Sequence, residues 1–511
     1  MRTKKASINA LVGVIAYILG YLPIFIIRKV FLDILGEDLL GLSSLYTNII
    51  NYLSIVEMGI GSAIIFSLYK PFSENDRVKI KGYLDCYKKF YRIAGIVVLV
   101  LGLLLVPILP IFINDKASIN MDTARFCFIL VLADTLITYF FSYKLCLLNV
   151  AQESFRVSIG TSLSKLAISI LQIVVLNIYP NFALYIAMQI VVNATYYTII
   201  NRYIDRRYKW VNEVEGHIND VEKKDLFKNI KALFLHKIGS VVVFGTDSLV
   251  ISTFINLATV ARYNTYQLFL SAVTGIMGNA MNAITPSIGN LLVEKDKKSA
   301  YIVHRRLFFM NFWLVSFITI CLYNTLTQFV RLVYGESQVL SNFTINILLI
   351  NLYFQLMRNT VERFKEGSGS YYQDRYAPLF EAIINLGFSL YLVNKIGLPG
   401  VFIGTLISNL TAVFWVKPLI TYKNVFNVSV FDYFKMYFKF LFIGMIPLFL
   451  THLLTVNIKS SNSFLMFIVN CIINIVVINV FYLIVFWKNE DFKFYKNYLN
   501  AIVSKFIKHK A

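Results

Sequence analysis

The sequence predicts an all-α, polytopic integral membrane protein with about fourteen transmembrane helices, arranged as two pseudo-symmetric six-helix bundles and two C-terminal helices. Three observations carry this. The chain of 511 residues breaks into apolar segments of roughly twenty residues, the length that crosses about 30 Å of hydrocarbon. Hydrophobic residues make up 57% and charged residues only 15%, against about 25% charged in a soluble chain, and the mean hydropathy is +0.65. Lysine and arginine gather in every second connection.

In chain order the spans are expected at 7–27, 38–68, 91–113, 124–146, 156–177, 180–201, 230–255, 259–290, 307–327, 340–358, 376–394, 398–417, 436–456 and 464–487. The second and eighth exceed one bilayer thickness and are expected to tilt or break. A basic start (Arg2, Lys4, Lys5) before the first span imitates a leader, but Arg28-Lys29 follow with no small-residue cleavage pattern, so an uncleaved span is expected.

Placing the N-terminus in the cytoplasm puts 38 of the 49 lysines and arginines in cytoplasmic connections. Arg28, Lys29, Lys116, Arg331, Lys395 and Lys459 are left for the outer loops. That asymmetry predicts a multi-pass protein of the cytoplasmic membrane with both termini inside. It also accounts for the net charge of +21 without a nucleic-acid partner, since such loops lie against anionic lipid. Cys86, Cys127, Cys146, Cys321 and Cys471 are scattered and give no disulfide or metal signal.

A weak repeat recurs at an offset near 220: Tyr46 falls opposite Tyr266, and Gln152-Glu153 opposite Gln373-Asp374. The longest hydrophilic connection separates the copies. The expected divisions are therefore an N-terminal six-helix bundle over 1–201, a cytoplasmic linker over 202–229 and a second six-helix bundle over 230–417. Two further helices and a basic tail fill 418–511. Parallel six-span halves suggest a transporter whose substrate path lies between them and which alternates access by rocking.

Polar residues inside spans are costly and face a bundle interior or a wet cavity. Ser158, Ser162, Lys165, Ser169 and Gln172 fall within about 80° of one another at 100° per residue. Lys165 sits roughly 13 Å from the cytoplasmic end, too deep for easy snorkelling. His236, Ser240 and Asp247 share a face of the seventh span; Asn264, Gln267, Ser271 and Asn282 share one of the eighth. Asn351, Gln355 and Arg358 align in the tenth, Glu381 and Asn385 in the eleventh. Serine and asparagine stripes also serve simply as helix–helix glue. Lys144 and Arg262 lie near membrane surfaces, where snorkelling is the plainer reading.

The candidate binding residues are Lys165, Lys237, His236, Arg262, Gln172 and Gln267. The cations among them would line a cavity suited to a phosphate-bearing substrate. Asp247, Asp134 and Glu381 would either pair with those cations or bind a coupling ion. No Walker loop, paired-carboxylate motif or metal cluster appears, so neither an enzyme nor a cofactor is expected.

Particular strings resemble the bacterial polysaccharide (Wzx-type) flippases of the multidrug/oligosaccharidyl-lipid/polysaccharide exporter superfamily. They are residues 35–42, 53–64, Ser67-Leu68-Tyr69-Lys70-Pro71 and Tyr143-Lys144-Leu145-Cys146-Leu147-Leu148-Asn149 with Gln152. Further on come His236-Lys237-Ile238-Gly239-Ser240 with residues 246–252, and residues 397–405 with Ile407-Ser408. The resemblance extends to about residue 425 and departs at Ala261-Arg262, where a glycine and an apolar residue are expected. It implies two bundles around a central cavity, and translocation of an undecaprenyl-pyrophosphate-linked oligosaccharide for capsule or other surface-polysaccharide assembly. A polysaccharide polymerase and other assembly proteins would be its partners, with membrane lipid around it. Rival readings are a membrane glycosyltransferase or polymerase, with Asp33, Glu37 and Asp38 in an outer loop, a lipid II flippase, or a multidrug exporter.

Overall fold

Every expected span falls on helix, and no strand occurs among the described residues. This is a computed structural model that describes the backbone of 2–57, 60–113, 119–151, 153–294, 296–368, 370, 373, 376–456 and 463–508. Side chains are described for the same residues except 2–18, 56, 62, 229, 232–245, 282, 283, 286, 287, 290, 293, 294, 499 and 501–508. The helices are α1 (Arg2–Leu53), α2 (Ile60–Ser73), α3 (Arg77–Leu105), α4 (Met121–Phe141), α5 (Ser154–Ile178), α6 (Phe182–Arg207), α7 (Asp220–Phe254) and α8 (Leu257–Glu294). After them come α9 (Lys297–Tyr334), α10 (Asn342–Met357), α11 (Asn359–Gly367), α12 (Ala377–Ile396), α13 (Leu398–Phe426), α14 (Val430–Val456), α15 (Ser463–Phe486) and α16 (Glu490–Lys508). Among the described residues, nine helices are long and apolar enough to cross a bilayer. In hydrocarbon each backbone amide must be satisfied within its own segment, which the helix alone does without a partner strand. The fold is all-α and polytopic.

Side-chain caps mark where helices start. Asn120 accepts from the amides of Asp122 and Thr123, Asn181 from Leu184, Asp296 from Ser299 and Ser341 from Thr344. Asn219 and Glu222 form a reciprocal capping box on α7. Each cap satisfies an amide that the first helical turn leaves open.

One boundary differs from expectation. The first outer connection contracts to Gly36: one helix carries Arg28 and Lys29 up to it, a second starts beyond it, and the two are grouped here as α1. A Lys29–Asp33 pair one turn apart supports that stretch as helix. Gly36 takes φ 84°, a conformation closed to most side chains. The long second segment does break: a tight turn over Ser54–Glu57 interrupts it before α2. The eighth, also long, runs unbroken as α8.

Contacts divide the chain into two units, Met1–Thr265 with Ser389–Val401, and Tyr266–Phe388 with Phe402–Ala511. In the first, α1 packs along α5, α4 lies against α3 and α6, and α7 touches α1 and α2. Gly41 permits the closest backbone approach there: a Cβ on it would sit 2.0 Å from the carbonyl oxygen of Leu257. Tyr46, fully buried, donates to the carbonyl of Ala124 at 2.6 Å. In the second unit α9 is central, with α10, α11, α14 and α15 around it. Phe312 and Phe440 stack at 4.7 Å, and Tyr482 donates to Ser316 at 2.8 Å. Lipid tails are as apolar as leucine, so these contacts hold by dispersion, shape and interhelical hydrogen bonds. Helix α13 is irregular: wide π-type turns at Asn409–Val413 and Thr421–Phe426 flank Pro418, which has no amide hydrogen to give.

Candidate translocation site

In the first unit the polar face of α5 divides by depth. Ser169 and Gln172 are buried, and Gln172 donates through Nε2 to the carbonyl of Tyr185 on α6 at 3.1 Å. Lys165 is exposed. Its aliphatic stem passes α1, where a Cβ on Gly20 would lie 3.5 Å from Lys165 Cδ. Among the described residues its ammonium has neither an ion pair nor a hydrogen bond.

Arg262 on α8 reaches Glu37 of α1 through Nη2 at 3.0 Å. Its neighbour Tyr263 hydrogen-bonds Asp247 of α7. Asp247 is buried, and its Oδ1 has no partner among the described residues. Asp134 on α4 accepts from Gln189 Nε2 at 2.6 Å and from Asn193 Nδ2 at 2.8 Å, both on α6. The partner is therefore a pair of amides and not a lysine. His236 and Lys237 fall on α7 but lie outside the residues whose side chains are described.

A cation missed in the sequence is Arg28. Its Nη2 donates to the carbonyl of Ala261 at 2.6 Å and its Nε to Thr265 Oγ1 at 3.0 Å. The sequence assigned it to an outer loop, because nothing there signals that α1 continues.

The second unit holds a buried charge cluster. Arg358, 7% exposed, donates through Nε to Glu362 Oε1 at 2.7 Å and through Nη1 to Asn409 Oδ1 at 2.9 Å. Lys417 of α13 donates to the same Glu362 oxygen. Glu381, buried on α12, is within electrostatic reach of Arg358, Lys417 and Glu362. Two cations and two acids thus cancel. The one-turn spacing of Arg358 and Glu362 was visible in the sequence; the arrival of Lys417 through a wide turn was not. Gln267 on α8 donates to Ser271 at 3.4 Å, and Asn385 donates to Thr405 at 2.9 Å.

Chemically the clusters differ. Arg358, Lys417, Glu362 and Glu381 compensate one another, and the first three hold α11 to α13. Among the described residues the exposed charge of Lys165 has no partner, and one buried carboxyl oxygen of Asp247 has no hydrogen-bond donor.

The solved structures with similar folds are transporters. A lipid II flippase MurJ in an inward closed conformation superposes with a TM-score of 0.72 at 13% identity, over 94% of this chain and 99% of that one. The chain shares its fold with this flippase. An inward-facing multidrug-resistance MATE transporter of the MOP superfamily gives 0.60 at 15% identity, over 78% and 94%. The Vibrio cholerae MATE transporter VcmN, in a mutant form, gives 0.57 at 14% identity, over 83% and 99%. No family model and no curated protein sequence matches the chain.

Proposed function

We propose that this protein is a flippase of the cytoplasmic membrane that carries an undecaprenyl-pyrophosphate-linked oligosaccharide from the inner to the outer leaflet for surface-polysaccharide assembly. The halves 1–201 and 230–417 rock about the linker 202–229, and 418–511 forms the appended helices and a cytoplasmic tail. One observation carries the reading: the likeness to a lipid II flippase extends over 94% of this chain, whereas the two MATE transporters match over 78% and 83% of it.

Lys165 meets the pyrophosphate first, because among the described residues its charge has no partner to release. Lys237, His236 and Arg262 add to that lining, with Arg262 exchanging Glu37 for the cargo. Gln172 and Gln267 flank the sugar path. Asp247 serves as the coupling acid, while Asp134 and Glu381 remain pairing groups. Lipid II is the second reading for the cargo, favoured by what the MurJ structure is named for.

The test is to deplete the protein, separate the leaflets with an impermeant glycan-labelling reagent and identify the trapped species. Complete oligosaccharide units held on the inner leaflet support the proposal. Trapped lipid II transfers it to the second reading. Single units that reach the outer leaflet without being lengthened point instead to a polymerase.

A further inference from the structure

Within the first unit, the middle of α3 and the C-terminal parts of α4 and α6 line an open cavity of about 390 Å³ that the translocation reading does not use. Four cations line it, Lys88, Arg92, Lys144 and Arg202, against one acid, Asp205. Lys144 is ion-paired to Asp205. Lys88 lies 5.8 Å from the centre of the Tyr143 ring. Arg92 and Arg202 are exposed, and neither has an ion-pair partner among the described residues. The walls therefore carry a surplus of three positive charges.

The cavity sits at a polarity boundary. Helix α3 is apolar immediately beyond Arg92, and the basic residues of α6 begin at Arg202. Phe140 and Phe141, both exposed, form its apolar side. A ligand that satisfies both sides has an anionic head and an apolar body. Guanidinium groups suit phosphate oxygens, which they grip in pairs.

We propose that this cavity holds the phosphate headgroup of an anionic glycerophospholipid of the surrounding leaflet. Arg92 and Arg202 contact the phosphate, Lys88 supplies a further charge, and the phenylalanines take the start of the acyl chains. Asp205 moderates the affinity by occupying Lys144.

The probe is the full-length protein reconstituted in vesicles of equal phosphatidylglycerol and phosphatidylcholine, with the lipid retained on extraction counted by native mass spectrometry. Phosphatidylglycerol should be retained preferentially. The Lys88→Gln/Arg92→Gln/Arg202→Gln protein should retain roughly a hundredfold less, since each basic residue near an anionic lipid contributes about fivefold. Lys297→Gln/Lys298→Gln, an equal kind of charge loss at exposed sites elsewhere, should retain it normally. Asp205→Asn should raise retention severalfold, which a merely structural role would not, and this variant decides the matter if the triple variant does not fold. Equal retention of the two lipids, unchanged retention in the triple variant, or no gain in Asp205→Asn would overturn the proposal. Displacement by millimolar inorganic phosphate would overturn the lipid as source and leave a site for free phosphate.

Discussion

Lys165 and Glu222 show how differently single charges act in this chain. Replacing Lys165 by alanine removes a charge-assisted contact of about 1.5–3 kcal/mol, so arrival of labelled cargo in the outer leaflet should slow about 10- to 100-fold. Lys165→Arg should retain most of the rate, and normal export by a stably inserted Lys165→Ala protein would end the role given to this residue. Glu222 lies outside the membrane spans. Its bond to Lys79, a 2.9 Å ion pair, and the amide of Asn219 hold its carboxyl below the ordinary value of 4.5. A depressed acid stabilises the fold fully above its unfolded value and loses that contribution as pH falls through the folded one. The protection of amides in the first turn of α7, relative to their intrinsic exchange rate, should therefore fall below about pH 4.5, and Glu222→Gln should remove most of that pH dependence. The stripe on α5 was legible in the sequence, because helical spacing alone put Lys165 beside Ser162. The place of Arg28 was not, since a basic pair after an apolar run reads equally as a loop.

At the scale of elements, the cluster joining α11 to α13 is where a single change does most damage. Glu362→Gln would leave Arg358 and Lys417 buried without their shared carboxylate, a loss of about 3–5 kcal/mol for breaking a buried pair. Thermal unfolding in detergent should register it, with less loss when Lys417→Met is added. Gly41→Ala should also destabilise, by about 1–3 kcal/mol, since the added carbon has only the Leu257 backbone to displace. Helix lies under the expected spans among the described residues, and hydropathy made them readable because the bilayer sets a length that soluble cores do not. Their ends and irregularities were less so. Gly36 parts the two helices of α1 in a single residue, and the wide turns of α13 have no period that a sequence displays.

For the whole molecule, orientation is the property most open to direct test. Single cysteines placed at Glu74 and Asn212 should label only from the cytoplasm, and at Asn181 and Glu336 only from outside, in a background lacking the five native thiols. Reversed labelling would invert the positive-inside assignment and with it the direction of transport. The all-α polytopic class was legible from segment length, composition and the alternation of basic connections. The partners of the intramembrane charges were not. Asp134 could be expected to find a lysine, yet two amides satisfy it, because an amide pair supplies donors without importing a second charge to desolvate.

The wide turn at Asn409–Val413 has a bearing on descent. It holds one residue more than an ordinary helical turn, and Asn409 inside it receives Arg358 while Lys417 beyond it reaches Glu362. The turn takes up that residue within itself, so its loss would restore regular winding and leave Lys417 facing much as before. Length and charge are thereby uncoupled. Related genes should be able to shed the extra residue and still keep the three charges.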